Sequence, residues 1–194
     1  MHEPPVFAYD EAILFWMVLI WAFYPEVLHS GIVSGARSNP QDAGTLRLIN
    51  VGSDVALLLA FAVSFLPWLT LAYPRLALDA GIVLLATGSL LRRYCFRILG
   101  EYFTAAVTVR VGQPVIEKGP YRWIRHPGYT AGFIMFLGIG LAFGNWLSLA
   151  VFFLEIGVVY SRRISAEEKA LLDTLGEPYR AYMARTKRFI PFVF

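Results

Sequence analysis

Cysteine is almost missing from this chain: Cys95 stands alone among 194 residues. An internal disulfide is therefore excluded, and so is any metal site built from several cysteines. Histidine is nearly as scarce. His2, His29 and His126 are scattered without ligand spacing, which argues against zinc or any other bound metal. Charge is thin as well, at 16% of residues, against about 25% in soluble domains. The sequence has no Walker loop, no GxGxxG, no internal repeat and no low-complexity segment, so those nucleotide-binding and repeat architectures fall away. The net charge is only +3, and no basic run is interleaved with stacking aromatics. Nucleic acid is not an expected partner.

What the chain has in abundance is apolar surface. Its hydrophobic fraction is 57% and its mean hydropathy +0.56, which makes lipid the expected solvent. Five runs carry this signal. Ala12–Val33 is apolar but for Glu26 and His29, and Val51–Ala72 is broken only by Asp54 near its start. The second of these would give ~33 Å of helix, enough to cross a bilayer core. Leu76–Leu91 is apolar apart from Asp79 and continues as helix through Arg92, Arg93 and Arg97. Gly128–Phe143 and Trp146–Tyr160 are shorter, and the turn signal Gly144-Asn145 joins them. They read as a tight helical hairpin whose ends return to one side.

The expected fold is therefore an all-α membrane protein with about five transmembrane helices. Residues 1–100 would hold the first three. Residues 101–194 would form a catalytic region with a transmembrane hairpin at 128–160 and a cytosolic tail. On this topology all but Arg75 of the 17 lysines and arginines fall on one side. The positive-inside rule makes that side cytoplasmic, with the acidic N-terminus (Glu3, Asp10, Glu11) outside. An acidic start and a long first apolar run do not fit a cleavable signal peptide. Asp54 and Asp79 would lie near helix ends. Glu26, His29 and Glu155 sit within apolar runs, where ionisable groups point to function by default.

Two polar pieces project to the basic side. In the first, Val107–Val111 alternates and Pro114–Glu117 suggests a second extended piece, with Gly112-Gln113 as a possible hairpin turn. This piece ends in Gly119–Tyr129, GPYRWIRHPGY. Gly119, Pro120 and Tyr121 make a turn, and Pro127 suits the first position of a helix because its missing N–H would be unpaired there anyway. In the second, Ser165 with Glu168 reads as a capping box. It would open a helix running to Gly176, and Tyr179 and Tyr182 would follow on a second short helix. A hairpin brings its ends together, so Arg125–Tyr129 should lie near Arg163–Glu168. Arginine, histidine, tyrosine and glutamate would then share one pocket at the inner interface. The duller readings of the same residues are lipid-phosphate pairing, topology anchors, helix caps and interfacial aromatics.

The ordered set Phe103-Thr104, Gly119-Pro120-Tyr121, Arg125-His126-Pro127 with Tyr129 and Gly132, Asn145, Arg163, Glu167-Glu168, Gly176, Tyr179, Tyr182 and Ile190-Pro191 resembles the isoprenylcysteine carboxyl methyltransferase family. The resemblance covers roughly the C-terminal half. It implies S-adenosylmethionine as cofactor and a lipid-like acceptor, a prenylated cysteine, entering from the bilayer to be methylated on its carboxylate. It also implies that His126, Tyr129 and Glu167 contact the cofactor. The Gln113–Tyr121 segment, with Gln113, Val115, Gly119 and Tyr121, would cover it, and Arg163 and Arg125 would lie nearer the reacting end. The helix opening at Pro127 would offer N–H groups to the methionine carboxylate. Arginine suits an acceptor carboxylate through bidentate pairing, a role that falls first to Arg163 and then to Arg125. RHPxY alone is also similar to phospholipid N-methyltransferases and some sterol reductases, so an amine acceptor or a nicotinamide-dependent reduction stands as the alternative.

Overall fold

The structure, a computed structural model, describes residues 3–33 and 40–189, with side chains left out at 25–33 and 40. The expectations attached to His2, Glu26, His29, Arg37 and Ile190-Pro191 lie outside what is described. The described residues form seven α-helices and short 3-10 turns, with no strand. The helices are α1 (Pro5–Ala8), α2 (Ala12–Val33), α3 (Thr45–Val63), α4 (Pro74–Leu99), α5 (Pro127–Ala142), α6 (Trp146–Leu175) and α7 (Glu177–Arg185).

The apolar runs predict α2 residue for residue, and α4 and α5 to within two or three. Proline sets both later starts, at Pro74 and Pro127, where a missing N–H does no harm. Two boundaries differ from expectation. First, α3 begins at Thr45 and ends at Val63 rather than running 51–72. Asp54 is thereby placed inside the helix, not at its end. The tail of that apolar run instead makes a turn at Pro67–Leu69 and a bridge from Thr70 to Asn145. Second, α6 does not stop at Tyr160. It continues unbroken to Leu175, so Ser165 is mid-helix and caps nothing. Gly176, at φ 61°, ends it as expected.

Two interfaces organise the bundle. Between α4 and α5 the backbones nearly touch: a Cβ on Gly81 would lie 2.5 Å from the Gly138 carbonyl, and one on Gly138 2.7 Å from the Gly81 carbonyl. Small residues permit this approach, the usual device of helix pairs in lipid. Between α3 and α6, Ser148 Oγ donates to the Ala60 carbonyl at 2.6 Å and Ser53 Oγ to Glu155 Oε1 at 3.0 Å. The hairpin turn is fixed by Asn145, whose Oδ1 accepts from Leu147 N at 2.8 Å while its Nδ2 donates to the Leu66 carbonyl at 2.9 Å. Phe15, Leu78, Leu85, Met135, Ile139, Phe143 and Phe152 fill the core.

The outer surface is apolar in turn. Ile13, Met17 and Ile20 on α2, Leu58 and Leu59 on α3, Val83 and Leu90 on α4, and Phe153 and Leu154 on α6 are all exposed. Apolar faces of this extent belong against lipid, and the chain is an integral membrane protein. By length and composition, Thr45–Val63 and Pro74–Tyr102 qualify as membrane spans, and Ala12–Tyr24 and Pro127–Ala142 are shorter apolar helices. Val107–Val111 does not form a hairpin. The alternating segment runs extended along the turn before α3, and its N–H groups reach side chains instead of a partner strand. Val107 N donates to Asp42 Oδ1 at 2.9 Å and Val109 N to Gln41 Oε1 at 3.1 Å.

Candidate active site

The start of α5 and the second half of α6 do meet. Tyr129, one turn into α5, donates its hydroxyl to Glu167 Oε2 at 2.9 Å and accepts from Arg163 Nε at 3.0 Å. The spacing of Arg163 and Glu167 places both toward Tyr129, because residues four apart lie on one helix face. This works only because α6 runs straight through; a chain break at Ser165 would have uncoupled Arg163 from Glu167.

Arg163 is deeply buried and almost fully engaged. Its Nη1 pairs with Asp42 and donates to Thr45 Oγ1 at 2.8 Å, and its Nη2 donates to the Ala105 carbonyl at 2.6 Å. With Nε on Tyr129, four of its five N–H groups are used. Asp42 in turn accepts from Leu46 N at 2.9 Å and from Val107 N. Burial alone would raise the Asp42 carboxyl, but those two N–H groups and the Arg163 guanidinium outweigh it and hold it below the usual carboxylate range.

A second cluster centres on Glu168, whose side chain is 4% exposed. It accepts from Arg125 Nε at 2.9 Å, His126 Nε2 at 3.2 Å and Arg188 Nε at 3.0 Å. It is an ion-pair centre, not the capping partner that its spacing from Ser165 suggested. Burial would raise its carboxyl, but the hydrogen bonds from His126, Arg188 and Arg125 together hold it well below the ordinary range. Arg125 Nη1 donates further to the Met183 and Thr186 carbonyls, so this arginine also ties the start of α5 to the end of α7.

These clusters wall one side of a cavity of about 1310 Å³. Gln113, Val115, Tyr121, Arg125, His126, Tyr129, Arg163 and Glu167 all line it. Gly119 and Pro127 do not; they shape the backbone beside it. Gly119 has φ +56°, and a Cβ there would lie 2.5 Å from Ile98 Cδ1. The N–H groups of Tyr129 and Thr130 both bond to the His126 carbonyl, so the helix start holds fewer free donors than expected. Tyr121, Tyr179 and Tyr182 line the same end, and burial pushes their phenols up, so all three remain hydroxyl donors at neutral pH. Apolar side chains Phe23, Ile49, Met135 and Phe136 line the cavity too, together with Asn50 and Asp54 of α3. Sequence reasoning missed Asp42 and Thr45. The only local signal was an aspartate just ahead of a helix, and that marks an ordinary cap.

The model of the isoprenylcysteine carboxyl methyltransferase (ICMT) family matches residues 81–173. That stretch carries RHPxY and Glu167-Glu168. A protein-S-isoprenylcysteine O-methyltransferase of Schizosaccharomyces pombe is 30% identical over 112 residues, covering 50% of this chain and 48% of the relative. A probable protein-S-isoprenylcysteine O-methyltransferase of Oryza sativa subsp. indica is 30% identical over 115 residues, covering 58% of this chain and 60% of its own length. The chain thus spans about half the length of the curated relatives it matches. A solved structure of the eukaryotic intramembrane Ras methyltransferase, isoprenylcysteine carboxyl methyltransferase, aligns with a TM-score of 0.65 at 22% identity, covering 100% of this chain and 70% of that one. This last likeness establishes a shared fold. The pair that fixes Arg163, Asp42 and Thr45, lies outside the family match.

Proposed function

We propose that the chain is an S-adenosylmethionine-dependent O-methyltransferase that esterifies the carboxylate of a prenylated cysteine or similar lipidic thioether. The observation that carries this reading is the two-part cavity. One part gathers Glu167, Tyr129, His126 and three buried tyrosines; another is lined by Phe23, Ile49, Met135 and Phe136 of α2, α3 and α5. Its volume of about 1310 Å³ exceeds the ~300–1,000 Å³ of an ordinary single-ligand pocket, as a site for two ligands requires.

The residues present fit the cofactor. Glu167 is half-buried, with Oε2 on Tyr129, and offers an acceptor to ribose hydroxyls or an ammonium. His126 and the tyrosines supply flat faces and donors for an adenine. Gln113, Val115 and Tyr121 line the covering wall. Bound S-adenosylmethionine would supply a methyl group activated on a sulfonium. A carboxylate acceptor is ionised at pH 7 and needs no base. The protein's task is orientation and a positive potential for an anion entering a partly apolar pocket. Arg163 lines the cavity and keeps one N–H beyond its four bonds, which suits it to a single-point contact with the acceptor. Asp42 and Tyr129 hold its plane. Arg125, neutralised by Glu168, acts as a positioning residue for His126. In this reading α2 to α6 cross the bilayer, the cavity's polar end and the C-terminus face the cytoplasm, and the N-terminus lies outside, as the arginine distribution supports.

The test is methyl transfer in nanodiscs from labelled S-adenosylmethionine to N-acetyl-S-farnesylcysteine. Label released as methanol by mild alkali is expected, and Glu167→Ala should weaken S-adenosylhomocysteine binding. Alkali-stable label on a lipid amine would replace this reading with N-methylation. Binding of NADPH but not S-adenosylhomocysteine would replace it with a reductase.

A further inference from the structure

We propose that the α3 wall of the cavity carries a subsite for a hydrogen-bond-donating group, best a protonated amine, within the lipid part of the acceptor. The inference rests on the reading above and extends it to the substrate class. The side chains that carry it are Asn50 and Asp54, four residues apart on the face of α3 that lines the cavity. Both are exposed, and neither side chain has a hydrogen bond or ion pair among the described residues. Arg93 lines the same cavity but is committed elsewhere, to Ser89 Oγ at 3.3 Å and to the Trp21 carbonyl. It does not neutralise Asp54.

The depth of this patch follows from two contacts. Arg163 meets Thr45 at 2.8 Å, and Glu155 meets Ser53 at 3.0 Å. The interval from Thr45 to Ser53 on α3 equals that from Glu155 to Arg163 on α6. At 1.5 Å per residue, both helices put the Ser53–Glu155 level about 12 Å from the Arg163–Thr45 level. Asp54 is therefore about two turns into the bilayer from the methyl-transfer end. At the same level, Glu155 is buried against Ser53, and its Oε2 has no hydrogen-bond partner among the described residues.

A plain hydrocarbon tail threaded past this level would strand an amide and a carboxylate in a dry environment, an arrangement that polar groups in membranes avoid by pairing. An ionised carboxylate only accepts hydrogen bonds. The complementary ligand group is a donor, and a cation also answers the charge that Asp54 brings. The acceptor class that fits is an amphiphile with its methylated carboxylate at one end and an amine or hydroxyl about 12 Å along its chain.

The test compares binding of two unreactive lipids of matched length, (hexylthio)acetic acid and its ω-amino counterpart, whose amine stands about 12 Å from the carboxylate, to the full chain in nanodiscs. Displacement of a fluorescent fatty acid gives the affinities. The wild type should bind the amino lipid on the order of tenfold more tightly, the scale of one charge-assisted hydrogen bond. Asp54→Asn should erase that preference while S-adenosylhomocysteine binding reports that the variant is folded. Equal binding of the two lipids by the wild type, or a preference that survives in Asp54→Asn, overturns the subsite and leaves Asp54 merely hydrated. Because the readout is binding, failure of methyl transfer to any carboxylate would remove the proposed reaction without deciding this point.

Discussion

Replacing Glu168 by glutamine removes one negative charge from a place where three cationic or cation-capable side chains converge. The Glu168, His126 and Arg125 side chains are 4%, 3% and 10% exposed, and Arg188 is 35% exposed. Arg188 can turn to solvent when its partner is lost. Arg125 cannot, because its Nη1 is held by the Met183 and Thr186 carbonyls. Breaking one side of a buried ion pair costs about 3–5 kcal/mol. Glutamine keeps an acceptor oxygen, so the lower end, about 3 kcal/mol, is expected. In a chain of this size each kcal/mol moves the melting temperature by about 2–4 °C, which gives a loss of about 6–12 °C. Melting followed by tryptophan fluorescence in nanodiscs at pH 7 reads it directly. The double variant Arg125→Gln/Glu168→Gln should recover much of the loss, because it removes the stranded charge as well. A single variant that melts within about 2 °C of the wild type, or a double variant no better than the single, would refute the buried-pair argument.

The same group sets an acid limit. Its carboxyl lies well below the ordinary range in the folded chain, against about 4.3 when unfolded. The folded state therefore binds this proton later than the unfolded state does. The stabilisation is complete above the unfolded value and is lost as pH falls toward the folded one. Below about pH 4.3 the wild type should lose melting temperature more steeply than Glu168→Gln. Parallel slopes would remove Glu168 as the cause.

Two further outcomes follow from the packing. Tyr129→Phe leaves Arg163 Nε and Glu167 Oε2 without their shared partner; a stability loss of about 1–3 kcal/mol is expected, together with weaker S-adenosylhomocysteine binding by calorimetry, and an unchanged affinity would detach Tyr129 from the cofactor end. Gly138→Ala sets a methyl 2.7 Å from the Gly81 carbonyl and Leu85 N, backbone atoms that cannot turn aside. It should cost at least about 1–3 kcal/mol in the same melting assay, and a neutral result would mean that α4 and α5 separate freely.

The apolar runs were legible because lipid imposes one rule on every turn of a spanning helix, and proline at Pro74 and Pro127 sharpened two starts. Glycine did the same at Gly176. The continuity of α6 was also written in the sequence: between Gly157 and Gly176 no glycine or proline interrupts it. That evidence was outweighed by Ser165 and Glu168, whose spacing satisfies a capping rule that operates only where the chain actually turns. Glu168 could occupy the same position for a different reason, as the counter-ion of Arg125, His126 and Arg188. Local spacing cannot separate those two causes, since the partners lie 20 to 43 residues away. The Asp42–Arg163 pair shows the limit most clearly. It joins residues 121 apart, one of them ahead of the family match. Its existence depends on α3 lying antiparallel against α6, a fact carried by Ser148 against Ala60 and Gly52 against Val159 rather than by anything near Asp42. Hairpin reasoning could bring α5 and α6 together because a short turn forces it. No such tether links α3 to α6, so the residue that holds Arg163 in place becomes visible only once those two helices are packed.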